Sequence, residues 1–188
     1  MNAIRRQLMS FAACRRGIAA TEFAFIAPVM AFLFFAVVEG SDALAASRRI
    51  TLAANTLADL VAQESQITEA DLDGLFAGME MIAGATDAAT TFRVISVVYD
   101  PDDDRVEVDW SRDDNGGTPY SKGSAYADLP DATLLDDASS LIVAETEFAY
   151  TSGLSKLLIK SIDMERIATR WPRRALRVQY CRTSTSCD

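Results

Sequence analysis

The sequence has no histidine among its 188 residues. Without an imidazole it cannot form the Ser-His-Asp or Cys-His pairs of common hydrolases. The adjacent Gly116 and Gly117 lack the flanking lysine and hydroxyl pattern of a nucleotide-phosphate loop. The abundant carboxylates are explained by a solvated acidic surface without any chemistry. We therefore predict that the protein is not an enzyme and uses no cofactor.

Cysteine is also scarce: Cys14 lies near the N-terminus, and Cys181 and Cys187 lie in the C-terminal tail. On the oxidising side of a membrane, a disulfide between the two tail cysteines can persist. Metal binding by this pair is the weaker alternative, because the chain has neither histidine nor a Cys-x-x-Cys motif.

A single long apolar run is present, from Ile18 to Val38. As a helix it would cover roughly 30 Å, the thickness of one bilayer core. Four arginines precede the run, which predicts that its N-terminal end lies in the cytoplasm. They are Arg5, Arg6, Arg15 and Arg16.

The acidic remainder would then lie outside, in the periplasm of a Gram-negative inner membrane. Such an acidic surface argues against nucleic acid as a partner. We predict a basic cytoplasmic leader (1–17), a transmembrane helix (18–38), a periplasmic extension of that helix (39–67) and an acidic α+β periplasmic domain (68–188).

Two other targeting signals compete with this interpretation. Phe11-Ala12-Ala13-Cys14 loosely matches a lipoprotein cleavage box, but only a short apolar stretch precedes it. Ala43-Leu44-Ala45 could serve as a signal-peptidase site, although the apolar run is longer than the roughly 7–15 residues of a secretory signal. Arg15 and Arg16 follow the lipoprotein box immediately, and the apolar run comes only after them. A secretory signal gives no role to Glu22, and placing an ionised acid inside an apolar run costs about 2.5–3.5 kcal/mol.

After residue 38 the spacing of apolar residues predicts two helical segments. The first continues the apolar run from Ser41 to Ile67, without proline or glycine. The second follows an N-cap at Thr68 and ends at Gly84. Its buried face is predicted to contain Leu72, Leu75, Phe76, Met79, Ile82 and Ala83.

From residue 90 the apolar period changes to two, which predicts strands. The predicted strands are Thr90–Tyr99, Arg105–Ser111, Leu141–Tyr150 and Ile162–Trp171. The first is apolar on both sides, which favours a central position in the sheet. The second alternates, with Val106, Val108 and Trp110 inward and Glu107 and Asp109 outward.

Between the strands we expect a surface loop over 112–139, with a short helix near 134–138, and a helix or turn over 152–160. The predicted fold class is α+β. An N-terminal transmembrane helix continues into a long amphipathic helix, which packs with one further helix on a small, mainly antiparallel sheet of about four strands.

The segment from Asp100 to Asp104 is predicted to be the turn between the first two strands, because it combines proline with aspartates. Its alternate carboxylates also suggest the start of a calcium loop. The positions that would need glycine and glutamate hold Arg105 and Ser111, so a solvated hairpin turn is the better explanation.

The N-terminal run resembles the TadE-like family of the tight-adherence (Tad, Flp-type) pilus system, whose members are minor pilins or pseudopilins. The matching residues are Gly17-Ile18-Ala19-Ala20-Thr21-Glu22-Phe23, Pro28 and Val38-Glu39-Gly40-Ser41. The stretches Val143–Tyr150 and Trp171-Pro172-Arg173-Arg174 are similar to the family's closing strands. This resemblance implies a pilin-like fold.

The resemblance further implies that a prepilin peptidase cuts after Gly17, which makes Ile18 the new N-terminus and leaves Glu22 and Phe23 just inside the mature chain. The new amine and the Glu22 carboxylate of a neighbouring subunit could then pair, since two opposite charges cost less together than apart in a low dielectric. The alternative is that Glu22 only reaches toward the membrane surface.

On this basis we expect a structural role in pilus initiation, assembly or adherence. The small residues Ala19, Ala20, Ala24, Ala27 and Ala31 would allow close helix packing. The expected partners are the major Flp-type pilin, another TadE-like minor pilin, the prepilin peptidase, the inner-membrane platform and the membrane. The alternative is an uncleaved, single-pass assembly factor with a periplasmic adaptor domain.

Overall fold

The computed structural model describes residues 16–84, 90–129, 135, 139–151, 161–183 and 186–187. The chain divides into two compact units, Met1–Asp42 and Ala43–Asp188. The helix or turn expected over 152–160 lies outside the described residues, as does all but Leu135 of the helix expected near 134–138.

The predicted long helix is present as α1, which runs from Arg16 to Ala62. It ends earlier than the predicted Ile67, because that residue lies in a short strand, β1 (Gln66–Thr68). Within the second unit, α1 buries one apolar stripe. The stripe consists of Ile50, Ala53, Ala54, Leu57, Ala58 and Val61.

The second helix, α2 (Glu69–Ala83), has the predicted ends. Thr68 is the N-cap, and it forms a capping box with Asp71: the Asp71 backbone N–H donates to Thr68 Oγ1 at 3.2 Å, and the Thr68 N–H donates to Asp71 Oδ2 at 3.0 Å. Gly84 ends the helix in the left-handed conformation, at φ 69°. The helix buries Leu72, Phe76 and Met79, as its apolar spacing predicts.

The four predicted strands form one antiparallel sheet. They are β2 (Thr90–Asp100), β3 (Arg105–Asp113), β4 (Ser140–Tyr150) and β5 (Ile162–Arg170). Their order is β3-β2-β4-β5, so β2 has the central position that its two apolar sides predict. The predicted fold class is thereby confirmed.

A second, three-stranded sheet was not predicted from the sequence. Strand β6 (Gln179–Thr183) pairs in parallel with β1 and antiparallel with β7 (Ser186–Cys187). These strands are too short to show a period of two, and β1 is formed at the point where the helical spacing of α1 stops. Sequence patterns therefore give little signal for them.

A register shift in β3 corrects one prediction. Val97 of β2 pairs with Val108, but Ser96 pairs with Trp110, so Asp109 is an extra residue in β3. Val108 and Trp110 are both buried as predicted, yet they point to opposite faces of the sheet. The assumption of strict alternation along β3 is therefore wrong.

The sheet consequently separates two apolar clusters. The larger contains the buried stripe of α1, the buried face of α2, and Phe92, Val94, Trp110 and Ile142 of the sheet. The smaller lies on the other face, where Ile95, Val97, Val108 and Val143 pack against Tyr126 and Leu135.

Candidate membrane and assembly segment

The first unit exposes large apolar side chains along the described part of α1. Phe25 is 80% exposed, Phe23 71% and Val37 68%. Such exposure is unfavourable in water, where apolar surface is normally buried. Among the described residues, α1 is the one helix long and apolar enough to cross a membrane, although length and composition alone do not distinguish a membrane span from a signal sequence.

The residues of the predicted processing site lie in the first turns of α1. Gly17 is helical, and a methyl group added there would meet no described atom within 4 Å. Ile18 is exposed, and its carbonyl accepts a hydrogen bond from Thr21 Oγ1 at 2.8 Å. Glu22 and Phe23 are also exposed, so Glu22 is available to a group outside this unit.

Four small residues lie along one side of this segment. Ala20, Ala24, Ala27 and Ala31 follow one another at spacings of four, three and four, which places them on a common helix face. Three of them are exposed and Ala27 is half-buried. Pro28 also lies inside the helix, and it has no N–H to donate to the Ala24 carbonyl.

Comparison with known proteins agrees with this geometry. Residues 17–59 match the family model of the TadE-like proteins. This segment is TadE-like. The resemblance seen in the sequence is confirmed over these residues, whereas the C-terminal stretches that also resemble the family lie outside the match. Neither the curated proteins nor the solved structures include a significant match to the chain.

The TadE-like segment begins at the predicted processing glycine and continues into the second unit. It includes the apolar run with Glu22 and most of the α1 stripe that builds the larger cluster. The match relates this segment to Tad pilus-associated proteins, a family that is structural rather than catalytic. The apolar helix within it is compatible with a single-pass membrane protein.

The alternative signal-peptidase site lies inside the TadE-like segment. Ala43, Leu44 and Ala45 are in the interior of α1, and Ala43 packs against the larger cluster. Cleavage after Ala45 would interrupt α1 and remove Ala43 from this contact, while the stripe from Ile50 onward would remain. The family match runs unbroken through this position, which favours an uncut helix.

The second unit has an open cleft of about 530 Å³ beside α2, β3 and β6. Arg112 lines it and is already paired: its Nη1 donates to Glu69 Oε1 at 2.9 Å and to the Tyr180 hydroxyl at 3.3 Å. Tyr180 also stacks on Trp110, with ring centroids 5.5 Å apart. These contacts connect α2, β3 and β6, so they are explained as structural.

The turn after β2 brings three carboxylates close together, at the place where the sequence suggests the start of a calcium loop. Asp100, Asp103 and Glu107 could share an ion, a different set from the alternate aspartates considered in the sequence. A guanidinium already lies among these oxygens, because Arg105 Nη2 is 3.0 Å from Asp103 Oδ2 and 2.5 Å from Glu107 Oε1. The backbone of Asp102 donates to Asp100 Oδ1 at 2.9 Å, as in a solvated hairpin turn.

One carboxylate, Glu145, is buried, although the sequence predicts that the carboxylates are solvated. Glu145 on β4 is 3% exposed and accepts hydrogen bonds from the Tyr126 hydroxyl at 2.6 Å and the Tyr120 hydroxyl at 3.1 Å. Arg93 Nη1 lies 3.6 Å from its other oxygen. Desolvation and the Glu145 charge raise the pKa of Tyr120 to about 12. This network fixes the segment after β3 to the sheet.

The two tail cysteines are joined by a disulfide, Cys181–Cys187, which links β6 to β7. Cys181 is fully buried and Cys187 is exposed. The bridge closes a short hairpin at the edge of the smaller sheet, and it lies outside the TadE-like segment. Disulfides form and persist mainly in oxidising compartments.

Proposed function

We propose that this protein is a minor pilin or pseudopilin of a Tad-type pilus. It would be anchored in the inner membrane by residues 18–38, with its N-terminus in the cytoplasm and its globular unit in the periplasm. The single observation that carries this proposal is the TadE-like segment itself: the match begins at Gly17 and covers an exposed apolar run, Ile18 to Val38, whose one acid is the exposed Glu22.

The position of Gly17 supports processing at this site. Gly17 has no close neighbour that would exclude a side chain, so packing among the described residues gives no reason for a glycine. Recognition by a prepilin peptidase supplies a reason, because the bond after a residue without a side chain is easy to reach.

The exposure of Glu22 supports its use between subunits. Among the described residues, no basic side chain forms a salt bridge with Glu22. Cleavage after Gly17 would create an ammonium on Ile18, and pairing that amine with Glu22 of a neighbour would offset the cost of both charges in the bilayer. The pair would also set the axial position of one helix against the next.

The partners that we propose would contact the same segment. The alanine face would pack against the helix of the major Flp-type pilin or of another TadE-like minor pilin, because small residues allow close approach in a bilayer. The prepilin peptidase and the inner-membrane platform would act on the precursor and on its assembly. The role is structural, in initiation, assembly or adherence, and not enzymatic.

The test is the intact mass and N-terminal sequence of the full chain, extracted from membranes after expression with its cognate prepilin peptidase. We expect an N-terminus at Ile18. Gly17→Val should block processing, and the matched variant Ala19→Val should not. An N-terminus at Met1 or Asn2 would instead identify an uncleaved assembly factor with a periplasmic adaptor domain.

The second arm tests the acid. Glu22→Gln should leave the membrane level of the protein unchanged and abolish piliation, whereas Asp42→Asn, an acid further along the same helix, should leave piliation unchanged. Normal piliation of the Glu22→Gln variant would contradict a role for Glu22 in assembly, because pili would then form without the charge of its carboxylate.

A further inference from the structure

The second unit contains a group of arginines that no carboxylate neutralises. This unit contains all but three of the chain's 27 acids and all but four of its 18 bases, so most bases have an acid close by. The described bases that form salt bridges are Arg93, Arg105, Arg112, Lys122, Arg173 and Arg174. Among the described residues, Arg48 of α1 and Arg166 and Arg170 of β5 have no carboxylate partner. Positive charge therefore remains uncompensated where α1 and β5 meet.

The two arginines of β5 are held in place by uncharged groups of α1. Arg166 Nη2 donates to Ser47 Oγ at 2.8 Å, and its Nε donates to Thr51 Oγ1 at 3.2 Å. Arg170 Nη2 donates to Asn55 Oδ1 at 2.8 Å. Both guanidiniums stay fully charged, because arginine does not lose its proton in proteins. A guanidinium that is fixed but not neutralised is well suited to bind the oxygens of an anion.

Arg48 lies beside these contacts on a face of α1 that also exposes two leucines. Leu44 and Leu52 lie four residues before and after Arg48, so the three side chains share one helix face. Leu44 is 53% exposed and Leu52 58%. Arg48 is about 60° around the helix from Thr51, which accepts a hydrogen bond from Arg166. The combination of exposed apolar side chains with arginines is typical of a helix face at a membrane surface.

Arg49, the next residue of α1, belongs to a different environment. A Cβ atom at Gly84 would lie 3.2 Å from Arg49 Nη1, so this guanidinium is next to the C-cap of α2. The negative end of the helix dipole favours a cation there, which explains the charge of Arg49 within the unit. The charge of Arg48 has no such explanation. The arginine–leucine surface therefore consists of Leu44, Arg48, Leu52, Arg166 and Arg170.

The chain keeps this surface close to any bilayer that residues 18–38 cross. Leu44 follows the end of that run by six residues, and even six fully extended residues cover only about 20 Å. Gly40 and Ser41 lie in between, and Ser41 Oγ donates to the carbonyl four residues earlier at 2.8 Å. Glycine–serine pairs and such serine bonds are frequent sites of helix bending, so contact with the bilayer requires no particular angle between the two units.

We propose that the arginine–leucine surface binds the phosphate groups of anionic phospholipids in the membrane that anchors the chain. Arg48 and Arg166 would donate to phosphate oxygens, and Leu44 and Leu52 would enter the boundary between headgroups and acyl chains. The acids elsewhere in the unit would be repelled by the same lipids, so electrostatics favours docking through this surface alone. The flanking leucines and the nearby span favour lipid over an acidic protein as the ligand.

This inference rests on the proposed function in one respect, which is the membrane span at residues 18–38. It requires neither cleavage after Gly17 nor a role for Glu22. Docking would cover the exposed start of α1 in the second unit with lipid. A helix of another subunit could then pack on this face only after the unit has left the bilayer surface.

Fluorescence quenching of the full chain in vesicles tests contact with the headgroups. In a Cys14→Ser background, a bimane label attached to Leu52→Cys should be quenched by phospholipids that carry a nitroxide on the headgroup. Quenching should be stronger in vesicles of phosphatidylcholine with phosphatidylglycerol than in phosphatidylcholine alone, because only the mixture is anionic.

A label on Leu176→Cys is the matched control, since Leu176 is 69% exposed and lies in the same unit. Its carbonyl accepts a hydrogen bond from the Ser140 N–H. Ser140 is six residues along β4 from Thr146, which pairs with Arg166, a distance of about 20 Å. The label on Leu176→Cys should therefore be quenched weakly, and equally in both kinds of vesicle.

A matched pair of charge variants tests recognition of the phosphate. Arg48→Gln should weaken docking about five-fold in the anionic vesicles, the effect of one base at an anionic surface, and should change nothing in phosphatidylcholine. Arg177→Gln removes the same charge from another exposed arginine without a salt bridge among the described residues, and it should leave docking unchanged. The near-ultraviolet circular dichroism of Trp110 checks that both variants fold.

Three results would overturn the proposal. Equal quenching of the labels on Leu52→Cys and Leu176→Cys would show that this surface does not face the bilayer. Quenching at Leu52→Cys that is the same in both kinds of vesicle, or unchanged by Arg48→Gln, would show that phosphate charge is not recognised. Protection of that label from aqueous iodide without quenching by the headgroup nitroxide would identify a protein as the ligand. Failure of the membrane span gives a different result, because the chain would then not float with the vesicles at all.

Discussion

At the scale of single residues, the Glu145 carboxylate needs the most compensation in the second unit, because it is a buried acid. A buried ionised acid is costly unless hydrogen bonds and a nearby cation compensate it. Glu145 has two phenol donors and the Arg93 guanidinium within 3.6 Å. Its place on β4 was predicted, but its burial was not, because the donors come from a segment with no regular period.

We expect Tyr126→Phe to destabilise the second unit by about 1.5–3 kcal/mol, the range for a hydrogen bond to a charged group. The phenol donates to Glu145 at 2.6 Å, and both side chains are buried. Thermal unfolding of the full chain in detergent, followed by near-ultraviolet circular dichroism, measures the loss. Tyr120→Phe is the control: its longer bonds of 3.1 Å should make the loss smaller. An equal or larger effect of the control would contradict this ranking.

The same phenols predict a loss of stability at alkaline pH. Burial and the Glu145 charge raise the pKa of Tyr120 to about 12, from an ordinary value of 10.0, and burial also raises the pKa of Tyr126. Their contribution is fully present below pH 10, where folded and unfolded chains both keep the protons. It falls above pH 10, because the unfolded chain releases protons that the folded chain retains.

Melting temperature measured between pH 8 and 12 checks this prediction. The double variant Tyr120→Phe, Tyr126→Phe should start lower and fall less steeply above pH 10 than the parent protein. A parallel decline of the two curves would show that other groups carry the alkaline dependence.

At the scale of elements, the strongest local signals in the sequence gave the most accurate predictions. Thr68 and Gly84 fix both ends of α2 through capping geometry that involves only neighbouring residues. Strand β2 could be placed in the centre because both of its faces are apolar. The pairing of distant strands could not be predicted in this way. Strands β1 and β6 pair with each other, but the whole four-stranded sheet lies between them in the sequence.

The bulge at Asp109 shows why the faces of β3 were misassigned. Alternation tells which residues are buried, but a single extra residue reverses the face of every later side chain. Nothing in the local sequence of β3 separates Trp110 from Val108. Gly17, Glu22 and the alanine spacing lie within one continuous helix, so their arrangement could be read from the sequence, whereas their roles in processing and packing stay predictions.

We expect reduction of the Cys181–Cys187 disulfide to loosen β6 and β7 without affecting β2 to β5. The closed loop is short, so the chain-entropy effect is about 2 kcal/mol. Strand β6 also keeps its bonds to β1 and the contact of Tyr180 with Glu69 at 2.9 Å. Hydrogen exchange of the full Cys14→Ser chain, with and without reductant, measures this. Faster exchange in β2 or β4 would contradict a purely local role.

At the scale of the whole molecule, the two parts of α1 differ in how their apolar residues are covered. Its apolar residues before position 42 are exposed, whereas the stripe from Ile50 to Val61 is buried. Only a bilayer or other helices can cover the first set. The acidic composition of the rest of the chain is that of a unit in contact with water.

We expect Val29→Arg to reduce the fraction of protein that remains in membranes after alkaline carbonate extraction. An arginine near the centre of a spanning helix costs about 2.5–3.5 kcal/mol on insertion scales. Leu52→Arg is the matched control, because Leu52 is 58% exposed and Val29 57% exposed on the same helix. Equal membrane fractions for the two variants would contradict a membrane span at residues 18–38.

The buried stripe of α1 also determines the order in which this chain can fold. The ribosome completes Ile50 before it makes Ile142 and Ala168, the sheet residues that share its cluster. At about 5–20 residues per second, the stripe is synthesised at least several seconds before its partners on β4. During synthesis, therefore, α1 leaves the ribosome with both its apolar N-terminal part and its core part uncovered. Folding of the second unit has to wait for the last third of the chain, and in that interval the helix is open to chaperones or to the helix of another subunit.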